Sequence, residues 1–95
     1  MQEVTRVRAL EGELARTMRY LKGVRAARVH LFLPDQNALR TNKQTPTASV
    51  VIRTDVAGDA TAAPAIRHLV AAAIPDMRPD EVQVIGTDGT ILAGG

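Results

Sequence analysis

The chain has 95 residues, with twelve Lys/Arg against ten Asp/Glu, 45% hydrophobic residues and no cysteine. That length suits one domain, residues 1–95, with a modest core, and it excludes a second independent one; the missing cysteine excludes disulfide and thiol chemistry and leaves the redox compartment open. The small net charge hides an asymmetry, since residues 1–30 carry seven basic and three acidic side chains, a net of +4, and residues 31–95 carry five and seven, a net of −2. Such polarity suits nucleic acid, a membrane surface, or a molecule whose basic side meets the acidic side of a copy of itself.

Val4, Val7, Leu10, Leu14, Met18 and Leu21 recur at spacings of three and four, and on a helical wheel they fall within about 120° of one another. This predicts an amphipathic first helix of about 20 residues that stops at Gly23, a residue able to take the left-handed cap conformation. Arg8, Arg16 and Arg19 project from the opposite side, with Gly12 among them. From 24 to 33 the period changes to two: Ala27, Val29, Leu31 and Leu33 share one face, and Ala26, Arg28, His30 and Phe32 the other. Pro34 ends this strand, and residues 35–46 read as a long polar loop. Ala48, Val50 and Ile52 then alternate with Ser49, Val51 and Arg53 in a second strand that ends near Asp55.

A loop with Gly58 leads to Asp59 or Thr61 as the cap of a second helix, with Pro64 in its first turn and Ala62, Ile66, Leu69, Val70 and Ala73 turned inward. The helix closes before Pro75. After Pro79, Val82 and Val84 alternate with Gln83 and Ile85 as a third strand, and the turn signal at 87–90 allows Ile91 and Leu92 to return as a short hairpin strand. The expected fold is therefore α+β: a two-layer sandwich in the order helix-strand-strand-helix-strand, with two helices on one face of a three-stranded sheet.

The other sheet face is left bare, and the alternation puts Phe32, Val51 and Ile85 on it together with Arg28, His30 and Arg53. This is either an apolar centre ringed by cations that meets a partner, or the ordinary scatter of apolar surface residues. The outer side of the second helix offers the small residues Ala65, Ala71 and Ala72 beside His68. They either admit a close neighbour or are good helix formers at indifferent positions.

Catalytic chemistry finds few candidates. His30 and His68 have no carboxylate or cysteine partner at ligand spacing, so no metal site is expected. Ser49 lies within a strand and lacks the glycines of a nucleophile elbow. Asp76, Asp80 and Glu81 surround a proline-bounded turn and read as solvated turn residues. Without a phosphate-cradling glycine loop, the reading is a non-enzyme with no cofactor. Nucleic-acid binding of a KH-like kind remains the alternative class, but no GxxG clamp is present, and Tyr20 and Phe32 make no stacking platform.

The run LEGELARTMRYLKGVRAARVHLFLP at 10–34 resembles the ring-building domains of the YscJ/FliF family, shared by the flagellar MS ring and the inner-membrane ring of type III secretion injectisomes. TASVV at 47–51, IRHLVAAAIPDMRPDEVQVI at 66–85 and TDGTIL at 87–92 follow in that family's order and spacing. The polar loop after Leu33 and Pro34 and the strand entry at Pro46 look more like the flagellar branch than the injectisome branch. The resemblance implies a structural module, of the second ring-building type, that packs side by side with copies of itself in a ring in the bacterial envelope. It further implies a periplasmic piece of a longer protein, with membrane contact only through segments elsewhere in that protein. Export-apparatus or rod proteins are the other partners it suggests. The interface residues expected are Arg8, Arg16, Arg19, Ala65, His68 and Ala72 on the helical side, and Arg28, His30, Phe32, Val51, Arg53 and Ile85 on the sheet side. Because both sides carry cations, acidic groups such as Glu13, Asp76, Asp80 or Glu81 are expected near the seam.

Overall fold

A computed structural model describes residues 2–34, 44–55 and 61–94. Helix α1 (Gln2–Met18) leads into β1 (Val24–Phe32), β2 (Thr47–Thr54), helix α2 (Ala63–Ala73), a 3-10 turn at Pro79–Glu81, β3 (Val82–Gly86) and β4 (Ile91–Ala93). The strands form one sheet in the order β1-β2-β3-β4. β1 is antiparallel to β2, β2 parallel to β3 and β3 antiparallel to β4, so α2 serves as the crossover that a parallel pair requires. The α+β class stands, while the sheet has four strands where three were expected. The extra strand exists because the turn closes tightly: the Gly86 N–H donates to the Thr90 carbonyl at 2.8 Å and the Gly89 N–H to the Gly86 carbonyl at 2.9 Å, with Gly89 at φ 90°.

Both helices lie over the same sheet face, α1 against β1 and α2 against β3. The pairing aligns Val29 with Val50 and Val50 with Val84, and in the next row Leu31 with Ala48 and Ala48 with Val82. Leu14 and Met18 from α1 and Ile66 and Val70 from α2 join these strand residues in one buried cluster. Each fully buried Val, Ile or Met contributes about 1.5–3 kcal/mol relative to leaving it exposed. No polar side chain is buried among the described residues, so the core is held by aliphatic packing alone.

Several details differ from the sequence pattern, each for a local reason. α1 ends at Met18, earlier than Gly23, because the Arg19, Tyr20 and Leu21 N–H groups bond three residues back, to Arg16, Thr17 and Met18, in tighter turns. The Thr17 hydroxyl also donates to the Glu13 carbonyl at 3.0 Å, a side-chain bond that competes with helix continuation. Gly23 still turns the chain with φ 86°. In β1 the register slips between Val24 and Ala26, and this bulge carries Val24 into the core although its parity with Arg28 and His30 would point it outward. Leu33, expected inward, lies just past the strand and is 37% exposed.

The inner stripe of α2 is Ala63, Ile66 and Val70; Ala62 and Leu69 are half-buried and Ala73 is exposed. Ile74 and Met77 fill the core beyond the helix end instead. They reach it through a turn in which Asp76 adopts φ 67° and the Met77 N–H donates to the Ile74 carbonyl at 3.3 Å. The N-cap position is Ala62, with no side-chain capping bond, rather than Asp59 or Thr61. Asp59, Gly58 and most of the long loop, 35–43, lie outside the described residues, as does the side chain of Val4.

Met18 is wholly buried, so Met18→Ala is expected to cost about 2–5 kcal/mol of unfolding free energy. A Cβ at Gly12 would meet only the Arg16 guanidinium, at an ordinary 3.7 Å, so Gly12→Ala is expected to stabilise the chain by about 0.5–1 kcal/mol. Urea denaturation of both variants checks the contrast. In the β3–β4 turn, the Thr90 backbone N–H donates to Asp88 Oδ1 at 3.0 Å and holds the Asp88 carboxyl below its ordinary value, with the Thr90 hydroxyl helping. A depressed folded value means that the ionised carboxylate stabilises the turn above the unfolded pKa, and that this stabilisation is lost as pH falls through the folded one. Wild type should therefore lose stability relative to Asp88→Asn on the acid side of 3.8; denaturation titrations of the pair through the carboxylate range read the difference.

Candidate interaction surface

With the helices on one side, the pairing register arranges the opposite side of the sheet in rows. Arg28 on β1, Val51 on β2, Ile85 on β3 and Ile91 on β4 stand in successive register across the sheet. The next row is His30, Ser49 and Gln83, and beyond it Phe32 stands opposite Thr47. On the other flank Ala26 is opposite Arg53. All six residues expected on the sheet side thus share one face. Its apolar centre is substantial: Ile91 is 63% and Phe32 51% exposed, with Val51 and Ile85 half-buried between the strands. Arg28, His30 and Arg53 are exposed around them.

Ile91 belongs to this face but was not among the residues chosen from sequence. The signal was present, because a hairpin closing through 87–90 with Gly89 at a left-handed position pairs Ile85 with Ile91 directly. Tyr20 is the chain's other aromatic residue. It is 91% exposed in the turn after α1, beside Arg16, Arg19 and Arg25.

On the helical side, Arg8, Arg16 and Arg19 are exposed along and just beyond α1, and Ala65, His68 and Ala72 form an exposed stripe on α2, with Ala71 half-buried. The histidines therefore belong to opposite layers and do not converge. Among the described residues no group of three or more His, Asp or Glu side chains could hold a metal ion. Of the acidic groups expected near the cations, Glu13 lies 3.8 Å from Arg16 on α1 and Asp80 is 3.5 Å from Arg78; Arg25 is paired with Asp55 where the β1 bulge meets the end of β2. These pairs are exposed, and such pairs contribute little to stability in water. They adjust the charge of the surface more than they hold the fold.

α1 does not cover β1 completely. A groove of about 410 Å³ runs between them, floored by Gly12 and Ala15 on the helix and by residues 27–30 on the strand. A second groove, of about 380 Å³, is lined largely by apolar residues, among them Leu10, Leu33, Pro34 and Ile74, and lies where the start of α1 approaches the end of α2.

The family model described as "Secretory protein of YscJ/FliF RBM domain" matches residues 1–93. The flagellar M-ring protein of Rhizobium meliloti (strain 1021) is 52% identical over 95 residues, all of this chain and 17% of that protein. The flagellar M-ring protein of Salmonella typhimurium (strain LT2) is 37% identical over 93 residues, 96% of this chain and again 17% of its own length. The chain thus spans about a sixth of the relatives it matches. Among solved structures, a FliF fragment, residues 58–213 of that protein, superposes with a TM-score of 0.74 at 34% identity, covering 90% of this chain and 56% of the fragment. The type III secretion protein EscJ of enteropathogenic E. coli shares the fold, with a TM-score of 0.70 at 15% identity over 99% of this chain and 51% of EscJ. Matched by the family model from its first residue almost to its last, and by flagellar M-ring proteins at up to 52% identity, this chain belongs to the YscJ/FliF ring-building family.

Proposed function

We propose that the chain is a structural module, the second ring-building unit of a flagellar M-ring protein, and that it assembles side by side with copies of itself. The observation that carries this reading is the bare sheet face, where an apolar row of Val51, Ile85 and Ile91 and the nearby Phe32 are ringed by Arg28, His30 and Arg53. Among the described residues nothing covers that face, whereas the opposite one is filled by two helices.

Copies meet head to tail, the helical side of one against the open sheet face of the next. Unlike surfaces joined by a rotation close into a ring when the rotation permits, whereas a self-complementary patch would stop at a two-fold dimer. Arg8, Arg16, Arg19, Ala65, His68 and Ala72 form the helical wall. Gly12 supports the same reading, because its own fold leaves room for a Cβ there and the helix would be more stable with one. The acidic groups Glu13, Asp76, Asp80 and Glu81 relieve the repulsion between the two basic walls.

In this proposal the ring is the MS ring of the flagellar basal body, built around the export apparatus in the cell envelope. The module is periplasmic and is tethered by membrane anchors elsewhere in the longer protein, and export-apparatus or rod proteins are its other contacts. Relatives named flagellar M-ring protein, at up to 52% identity, favour this over the injectisome equivalent, for which the likeness is one of fold at 15% identity. The open face carries Phe32 as its single aromatic residue, too few for the base stacking on which single-stranded nucleic-acid binders depend. The role requires neither catalysis nor a cofactor.

In the full-length protein, Phe32→Asp combined with Val51→Asp is expected to abolish rings seen by electron microscopy, while the isolated chain keeps its melting transition; normal rings would refute the sheet-face assignment. The isolated chain at low concentration is expected to sediment as a monomer, because a tethered interface can rely on high effective concentration. A tight two-fold dimer would contradict the head-to-tail arrangement.

A further inference from the structure

A sheet that offers a contact face to its neighbours also offers two edges. An unpaired edge is a template for strand addition, which leads to open aggregates rather than closed rings. The edge strands of this sheet are β1 and β4, and β4 covers β3 at Val84 and Ile85.

Along β1 the Leu31 N–H donates to Glu11 Oε2 at 2.8 Å in a half-buried contact. An amide that donates to a side chain of α1 cannot be donating to β2, so Leu31 presents its backbone to the free edge. By the period of two, Val29 and Ala27 do the same. Glu11 therefore takes the outward N–H near one end of the edge. The rest of that edge runs beneath α1 through the groove floored by Gly12 and Ala15, where Arg8 and Glu11 also stand.

On the far side the stretch of β3 that β4 leaves uncovered is occupied in the complementary way. β4 spans three residues, and its pairing with β3 covers Val84 and Ile85. The Gly86 N–H, bonded to Thr90, points toward β4, so by alternation the Val84 and Val82 backbones point that way too. Val82 lies past the end of β4, and there its carbonyl accepts a hydrogen bond from Arg67 Nε at 2.8 Å. An acceptor from α1 occupies an edge donor, and a donor from α2 occupies an edge acceptor.

We infer that Glu11 and Arg67 determine how copies of this chain associate. Each occupies one outward backbone group with the helix above it, on β1 and on the part of β3 that β4 leaves uncovered, and so favours docking of a second copy on the open face over extension of the sheet. This rests on the proposed self-assembly and specifies which surface the partner copy takes. Charged side chains suit the task, because a strand arriving at either edge would have to displace a charge-assisted hydrogen bond and leave the ion partly desolvated.

The test uses Glu11→Ala with Arg67→Ala, and the conservative pair Glu11→Gln with Arg67→Lys, which keeps an acceptor and a donor. The alanine pair is expected to associate at roughly tenfold lower concentration than wild type, the equivalent of one charge-assisted hydrogen bond, with an infrared signal of intermolecular sheet. The conservative pair, which keeps both hydrogen bonds and loses the charge of Glu11, should lie between wild type and the alanine pair. A folded alanine pair that stays as monomeric as wild type overturns the inference, and so does a conservative pair that associates equally well. Should the alanine pair fail to fold, amide exchange in wild type decides: Leu31 must exchange more slowly than Val29 on the same edge, and equal rates overturn the inference. These readouts are independent of the Phe32 and Val51 ring assay, so failure of the edge inference and failure of the face assignment are told apart.

Discussion

Everything in this molecule depends on a sheet covered on one side. The row Val29, Val50 and Val84 crosses three strands, and its side chains are buried with Met18, Ile66 and Val70 of the helices. With one Phe and one Tyr in the chain, there is no large aromatic anchor to spare. The core is assembled from aliphatic side chains on a single sheet face, and among the described residues no second layer lies over the other.

That constraint also explains the division of labour along each strand. Because the pleat alternates, the residues that build the core and those that face outward are interleaved one by one. The outward set can vary in chemistry without disturbing the inward set, which is how Arg28, His30 and Phe32 share a strand with Val29 and Leu31. The proposed assembly needs this independence, since a contact surface must be specified without loss of the fold. The helices have a similar double role: their inner stripes close the core, their outer stripes carry cations and alanines, and one charged residue from each reaches a sheet edge.

The alternation of β1, β2 and β3 was legible residue by residue, and with it the membership of the open face, because a period of two leaves one face for each residue once a single one is placed. Ile91 escaped because three residues are too few to show a period; only its pairing with Ile85 shows which side it takes. Val24 escaped because a bulge resets the phase, and nothing in VRAARV announces the extra residue. On α2, Ile66 and Val70 are buried as expected, but Ala63 and not Ala73 completes the stripe. A helix of small residues has a weak stripe, and Ile74 and Met77 complete the core from beyond its end. Glu11 and Arg67 carried no signal at all, since an isolated charge on a helix looks solvated until the strand it reaches is in place.

By itself the sequence determined the class of fold, the order of the main elements, the inward alternation within β1, β2 and β3 and the family, since these follow from periodicity and from motifs that are local in the chain. The tertiary structure alone decided the strand order, the parallel pairing of β2 with β3, the place of the hairpin strand β4 in the sheet, and which backbone groups lie at the edges. Those depend on contacts between residues far apart in sequence, such as Glu11 with Leu31 and Arg67 with Val82, and no local pattern encodes which distant partner a hydrogen-bonding group will meet.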